Sequence, residues 1–151
     1  MRVFVSYSHL DRRYFKPGDL LDYLSGLRRE GVEFWWDKRI ETGEIWDDRI
    51  KEEITNTDIT LVLVSQAFLN SRYCQDVEVR SFLEARKSRG LCIFPIILSP
   101  CDWQSYPWLR ATQVQPRQGT IETDFTSRGK RAELYLAILN ELRAIAALRV
   151  N

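Results

Sequence analysis

The sequence predicts an α/β domain: an open five-stranded parallel sheet, order 2-1-3-4-5, with helices on both faces. Three observations predict it. Strand-like apolar runs alternate along the chain with segments whose apolar residues recur at helical spacing. Two of those runs, Asp58–Val64 and Leu91–Leu98, are almost wholly apolar, as strands buried on both faces of a parallel sheet are. No internal repeat, low-complexity tract or linker interrupts the 151 residues, a length suited to one domain with its own core.

Arg2–Ser6 reads as the first strand, and Ser8–Gly18 as a polar, turn-rich stretch with an Asp11-Arg12-Arg13 charge run. Leu20, Leu21, Leu24 and Leu27 place a helix over Asp19–Glu30, and Gly31 is its stop. Val32–Trp36 is the second strand, and Asp37–Ile45 a loop containing Gly43. Trp46, Ile50 and Ile54 mark one face of the next helix. After the third strand, Ser65 suits the N-cap of a short turn through Phe68-Leu69, and Ser71 that of a longer helix to about Lys87. Leu91–Leu98 is the fourth strand, and Pro100–Arg110 a loop with Cys101, Trp103 and Trp108. Thr112–Val114 reads as a short fifth strand at an edge, ended by Pro116. Gly129–Leu148 is the last helix, with Leu134, Ile138, Leu142 and Ile145 as its apolar stripe.

Composition narrows the function classes. Apolar residues make up 44% and charged residues 28%, a soluble globular balance. The longest apolar stretches are too short to cross a bilayer. The N-terminus runs straight into a strand pattern without the features of a signal peptide, which predicts a cytoplasmic location. Net charge is +1, so no overall field drives binding to nucleic acid or membrane. The basic clusters at Arg28-Arg29, Arg86–Arg89 and Arg128–Arg131 fall near helix ends, where cations are favourable. Cys74, Cys92 and Cys101 form no CxxC pair, and His9 is the one histidine, so no zinc set is expected. All three cysteines are expected to be reduced thiols in or near the core.

In an open sheet of this order, ligands bind where the strand order reverses, at the carboxyl ends of strands one and three. Ser6-Tyr7-Ser8-His9 and the segment from Ser65 to Glu78 must converge there, with the loop after strand two as a third wall. The glycines of a dinucleotide-binding turn are missing after strand one, where the first glycine is Gly18. GxxxxGK[ST] is absent, which excludes a P-loop. A phospho-accepting receiver needs an aspartate where Ser65 stands, and a Thr/Gly-rich flavin phosphate loop is also lacking. A carboxylate pair remains, Asp76 and Glu78. Two residues apart on a helix, they point in different directions and do not form an acid/base pair on one bond. Physics alone leaves two readings open: one of them acts singly, or both favour a helix N-terminus.

At this point the residues resemble a family. Val3-Phe4-Val5-Ser6-Tyr7-Ser8-His9-Leu10-Asp11 is similar to the opening strand and loop of bacterial TIR (Toll/interleukin-1 receptor) domains. Phe34-Trp35-Trp36-Asp37 with Ile40, Gly43 and Trp46 resembles their second strand and BB loop. Asp58–Ser65, Phe68-Leu69, Ser71 and Tyr73-Cys74 with Glu78 look like their third strand and catalytic helix. Phe94–Leu98 and Pro100–Trp103 resemble the fourth strand and its loop. The likeness runs the length of the chain and implies a flavodoxin-like fold. It implies one of two roles. Many bacterial and plant members, and one animal axon-degeneration family, cleave the nicotinamide–ribose bond of NAD⁺, whereas most animal receptor and adaptor members only assemble. The resemblance assigns the catalytic glutamate to Glu78, with Asp76 as the fallback. Many members place it three residues after the cysteine, whereas here Val77 holds that offset and Glu78 follows.

One carboxylate suffices for this chemistry. Nicotinamide leaves NAD⁺ as a neutral molecule, so no general acid has to protonate it. A carboxylate beside the ribose stabilises the oxocarbenium-like transition state. Glycosidases need two carboxylates chiefly because their leaving group is poor. Under this reading Tyr7, Ser8 and His9 line the ribose–nicotinamide side, with an exposed loop histidine the equal alternative for His9. Trp36 and Trp46 offer aromatic faces, although Trp46 also opens a core stripe. Asp37 and Gly43 shape the BB loop, Gly43 by permitting a positive φ. Cys74 is a pocket wall, and Trp103 and Trp108 pack the sheet edge or a contact between TIR domains.

The leading expectation is an NAD⁺ glycohydrolase releasing ADP-ribose or cyclic ADP-ribose, with NAD⁺ as substrate and no other cofactor or metal. The resemblance suggests an antiphage-defence or immune-signalling effector, active when copies stack through the BB loop and fused to or paired with a sensor. The alternative is a non-catalytic TIR–TIR scaffold. A host-directed adaptor mimic ranks third.

Overall fold

The computed structural model describes residues 1–36, 46–72 and 74–150. Four parallel strands form the sheet: β1 (Arg2–Ser6), β2 (Glu33–Trp36), β3 (Ile59–Val64) and β4 (Cys92–Ile97), in the order β2-β1-β3-β4. Register sets Val5 beside both Trp36 and Leu61, so β1, β2 and β3 finish at one end of the sheet. The helices are α1 (Leu20–Leu24), α2 (Trp46–Thr55), α3 (Gln66–Asn70), α4 (Arg80–Arg89), α5 (Pro107–Arg110), α6 (Ile121–Asp124) and α7 (Arg128–Val150).

Side chains that alternate along each strand feed two cores. Val3, Val5, Ile59, Leu61, Leu63, Phe94 and Ile96 pack on α1, α6 and α7 through Leu20, Leu24, Ile121, Ile138 and Leu142. Phe4, Val62, Val64, Ile93 and Ile97 meet α2 to α5 through Ile50, Phe68, Phe82 and Leu109. Every residue of β3 is buried, as its unbroken apolar run predicts.

The expected fifth strand is a correction: among the described residues the sheet has four. Thr112–Val114 is not a strand, and the chain there touches β4 at a single parallel bridge between Ile96 and Gln115. The Ile97 amide donates to the Gln115 carbonyl at 2.7 Å, and the Gln115 amide to the Pro95 carbonyl at 3.0 Å. Pro116 follows without an N–H, which stops the ladder. The same bonds explain a proline inside β4. The Pro95 carbonyl faces away from β3, so the position lacking a donor also faces the outer edge.

Other differences are local. The predicted helix over Asp19–Glu30 divides into α1 and a 3₁₀ segment, Ser25–Glu30, closed by Gly31 at φ +86°. The turn-rich stretch after β1 contains a 3₁₀ segment, His9–Phe15, capped by the Ser8 hydroxyl. The helix expected after Ser71 contains a π-helical stretch, Cys74–Val79, which passes into the α-helix α4 at Arg80.

One buried group is poorly served. Thr60 Oγ1, fully buried in β3 between Phe4 and Ile93, has no hydrogen-bond partner among the described residues. Valine has nearly the same shape and no hydroxyl to desolvate. Thr60→Val is therefore expected to stabilise the protein by about 1 kcal/mol. A higher urea midpoint at unchanged slope would report it; a lower midpoint would refute it.

Candidate active site at the carboxyl ends of β1 and β3

The β1 sequence Val-Phe-Val-Ser ends an apolar run on a hydroxyl. Ser6 is fully buried, and its Oγ donates to Glu78 Oε1 at 2.7 Å. Glu78 itself is 1% exposed. The π-helix Cys74–Val79 carries it inward, and such turns, with i→i+5 bonds, recur at functional sites. Asp76, two residues earlier, is exposed. The two carboxylates thus differ in setting: Glu78 is buried against Ser6 at the end of β1, and Asp76 is exposed.

Around this pair, Tyr7 is buried and its carbonyl accepts from Cys74 Sγ at 3.8 Å, a wall contact between the post-β1 segment and the π-helix. Ser8 is 8% exposed and caps the 3₁₀ segment, its hydroxyl accepting from the Leu10 amide at 3.3 Å. His9 is exposed, its ring 5.9 Å from that of Tyr7. Half-buried Trp36, at the end of β2, lies 5.2 Å from Phe15, which in turn lies 4.5 Å from Tyr7. Asp37 and Gly43 fall outside the described residues. Trp46 opens α2, and its side chain also falls outside them. Trp103 and Trp108 are half-buried against the α2-to-α5 side of the sheet, and Trp108 meets Phe82 edge-on at 5.5 Å. No disulfide joins the three cysteines.

Ser6 and Ser65 are expected from sequence at the switch point but without a role there, and Asp11 is not expected there. Asp11 is 4% exposed despite standing in a charge run, and Ser65 Oγ donates to its Oδ2 at 2.5 Å. The available signals were a polar residue closing the apolar run at Ser6, and a cap residue, Ser65, due to meet the post-β1 segment. Arg13 Nη1 stands 3.5 Å from Asp11 Oδ1, and Arg13 Nη2 is 2.8 Å from Glu122 in α6. Burial pushes the Cys101 thiol up, and the charges of Asp102 and Asp11 add to it against a backbone hydrogen bond at Trp103. Among the described residues, no group of three or more His, Cys, Asp or Glu gathers as a metal site.

Glu122 makes a testable acid-side contribution. Burial raises its carboxyl, but hydrogen bonds from the Tyr14 hydroxyl and Arg13, with the charges of Arg13 and Arg131, hold it below the ordinary 4.5. A folded value that is depressed gives stability present above the unfolded value and lost as pH falls through the folded one. Urea unfolding across an acid series should show the gap between wild type and Glu122→Gln narrowing as pH drops below 4.5. A gap that stays constant would remove Glu122 from that role.

A doubly wound α/β domain places its ligand site at the carboxyl ends of the strands where their order reverses, and Glu78 is buried there beside Ser6. Residues 3–142 match the family described as TIR domain, and the chain belongs to that family. It is 42% identical over 118 residues to the uncharacterized protein y4lF of Sinorhizobium fredii (strain NBRC 101917 / NGR234), covering 78% of this chain and 36% of that protein. It is 30% identical over 95 residues to the disease resistance protein RPV1 of Vitis rotundifolia, covering 62% of this chain and 6% of that protein. The chain thus spans a minor part of these relatives' length. The TIR domain of the Toll-related receptor TRR-2 from Hydra magnipapillata shares the fold at TM-score 0.62 and 18% identity, over 93% of this chain and 97% of that one. The TIR domains of the activated Roq1 resistosome share it at TM-score 0.64 and 17% identity, over 93% and 98%.

Proposed function

We propose that this TIR domain is an NAD⁺ glycohydrolase in which Glu78 stabilises the developing positive charge on the ribose as nicotinamide leaves. One observation carries the reading: Glu78 is buried at the switch point, with Ser6 Oγ holding one carboxylate oxygen in place at 2.7 Å. A carboxylate fixed before the reaction, away from bulk water, stabilises a cationic transition state without reorganising. The π-turn supports the same assignment. Its wider turn takes up the extra residue between Cys74 and Glu78 and still delivers the carboxylate to Ser6.

In the bond-breaking step the C1′–N bond of NAD⁺ breaks, its electron pair leaves with neutral nicotinamide, and the ribosyl cation forms beside Glu78. Water adds to give ADP-ribose and a proton, or a nitrogen of the adenine adds to give a cyclic product. In this reading Tyr7, Ser8, His9, Trp36 and Cys74 wall the site, and Asp37 and Gly43, which follow β2 in sequence, and Trp46 at the start of α2 are its expected further contacts. Related disease resistance proteins support an immune effector, and the Roq1 resistosome supports activation by assembly with other TIR domains.

The test is nicotinamide release from NAD⁺ by concentrated protein with a crowding agent, followed chromatographically over a concentration series. Release that rises more steeply than protein concentration is expected. Absence of release at every concentration, and after forced oligomerisation, would leave the scaffold reading.

A further inference from the structure

We infer that Asp11 is a positioning residue, latching the segment that walls the candidate site onto the turn after β3 through Ser65. Asp11 is 4% exposed although its neighbour Leu10 is 78% exposed. A carboxylate withdrawn from water in so short a segment is costly unless its partners compensate. Ser65 Oγ donates to Asp11 Oδ2 at 2.5 Å and accepts from the Phe68 amide at 3.1 Å, so one hydroxyl both caps α3 and ties down the 3₁₀ segment. Arg13 Nη1, 3.5 Å from Asp11 Oδ1, extends the tie to α6 through Glu122.

What the latch holds is the segment Tyr7 to Phe15. Its outer side bears on Trp36 through Phe15, and its inner side bears on the Glu78 segment through the Tyr7 carbonyl and Cys74. The other contacts of its cap, Leu10 N to Ser8 Oγ at 3.3 Å and Asp11 N to Ser8 O at 2.8 Å, are internal to the segment and fix its shape, not its place. Asp11–Ser65 spans 54 positions in sequence and ties the middle of the segment to the turn after β3, while Tyr7 on Cys74 and Arg13 and Tyr14 on Glu122 tie its ends elsewhere.

The experiment compares Asp11→Ala, Ser65→Ala, their double variant and Asp11→Asn. Hydrogen exchange at the amides from Leu10 to Lys16 is expected to quicken about ten- to a hundredfold in Asp11→Ala, with α7 unchanged. Ser65→Ala should do the same, and the double variant should add little. Asp11→Asn keeps an oxygen for Ser65 and should recover most of the protection. Unaltered exchange in the segment, or an equal rise throughout the chain, would overturn the latch. The kinetic arm alone rests on the proposed NAD⁺ reading. There, kcat/KM should fall at least tenfold in Asp11→Ala and return in Asp11→Asn. A wild-type kcat/KM in an Asp11→Ala protein whose segment exchanges faster would overturn the positioning role. A wild type that releases no nicotinamide would refute the NAD⁺ reading while the exchange data still decide the latch.

Discussion

Glu78→Gln is expected to lower nicotinamide release about 10²–10³-fold, the usual loss when one preorganised electrostatic contact to a transition state is removed. Glutamine keeps the side chain's shape and an oxygen for Ser6, so the change isolates the charge. Asp76→Asn should remain within about twofold of wild type, because Asp76 is exposed and an exposed charge is screened by water. A stability measurement makes the pair decisive. Burying a carboxylate is costly, so Glu78→Gln should unfold at an equal or higher urea concentration than wild type. Lost turnover with retained stability identifies a group kept for chemistry. Lost turnover with lost stability would mark Glu78 as structural, and equal losses in both variants would remove the distinction between the two carboxylates.

Phe82→Ala is expected to cost about 3–5 kcal/mol, the range for emptying a fully buried aromatic site. Phe82 is completely buried in α4 and meets Trp108 edge-on. It joins α4, α5 and the sheet in one core. Urea unfolding should show a lower midpoint with little change of slope. Phe82→Leu, which keeps most of the volume, should lose far less. Equal losses would mean that shape at this position matters more than filled volume. Because α4 continues directly from the segment that holds Glu78, the alanine protein should also lose turnover while still folded.

The sheet and its central strands were legible because their cause is local. An apolar run such as Ile59–Val64 predicts double-sided burial from composition alone, and β3 lies where expected. The Leu20/Leu24 spacing, the Gly31 stop and the Ser65 cap were legible for the same reason. The fifth strand was misread because Thr112–Val114 has strand character, while pairing depends on how much of β4's outer edge the chain can follow before Pro116. The π-turn was invisible because i→i+5 bonding leaves no distinctive apolar spacing. Within the site, Glu78 stood out once a family resemblance was recognised. Asp11 did not, since a charge run suggests solvent, and its burial follows from Ser65, 54 positions away.

The proline within β4 has a consequence for how copies of this domain can meet. A sheet margin with open donors and acceptors is a template on which another chain can grow. Here Pro95 withholds a donor, Gln115 occupies the adjoining acceptor and amide, and Pro116 bars extension. That margin is blunted against strand addition. Copies of this chain gathered at high local concentration therefore find no template for fibrous aggregation on this side of the sheet.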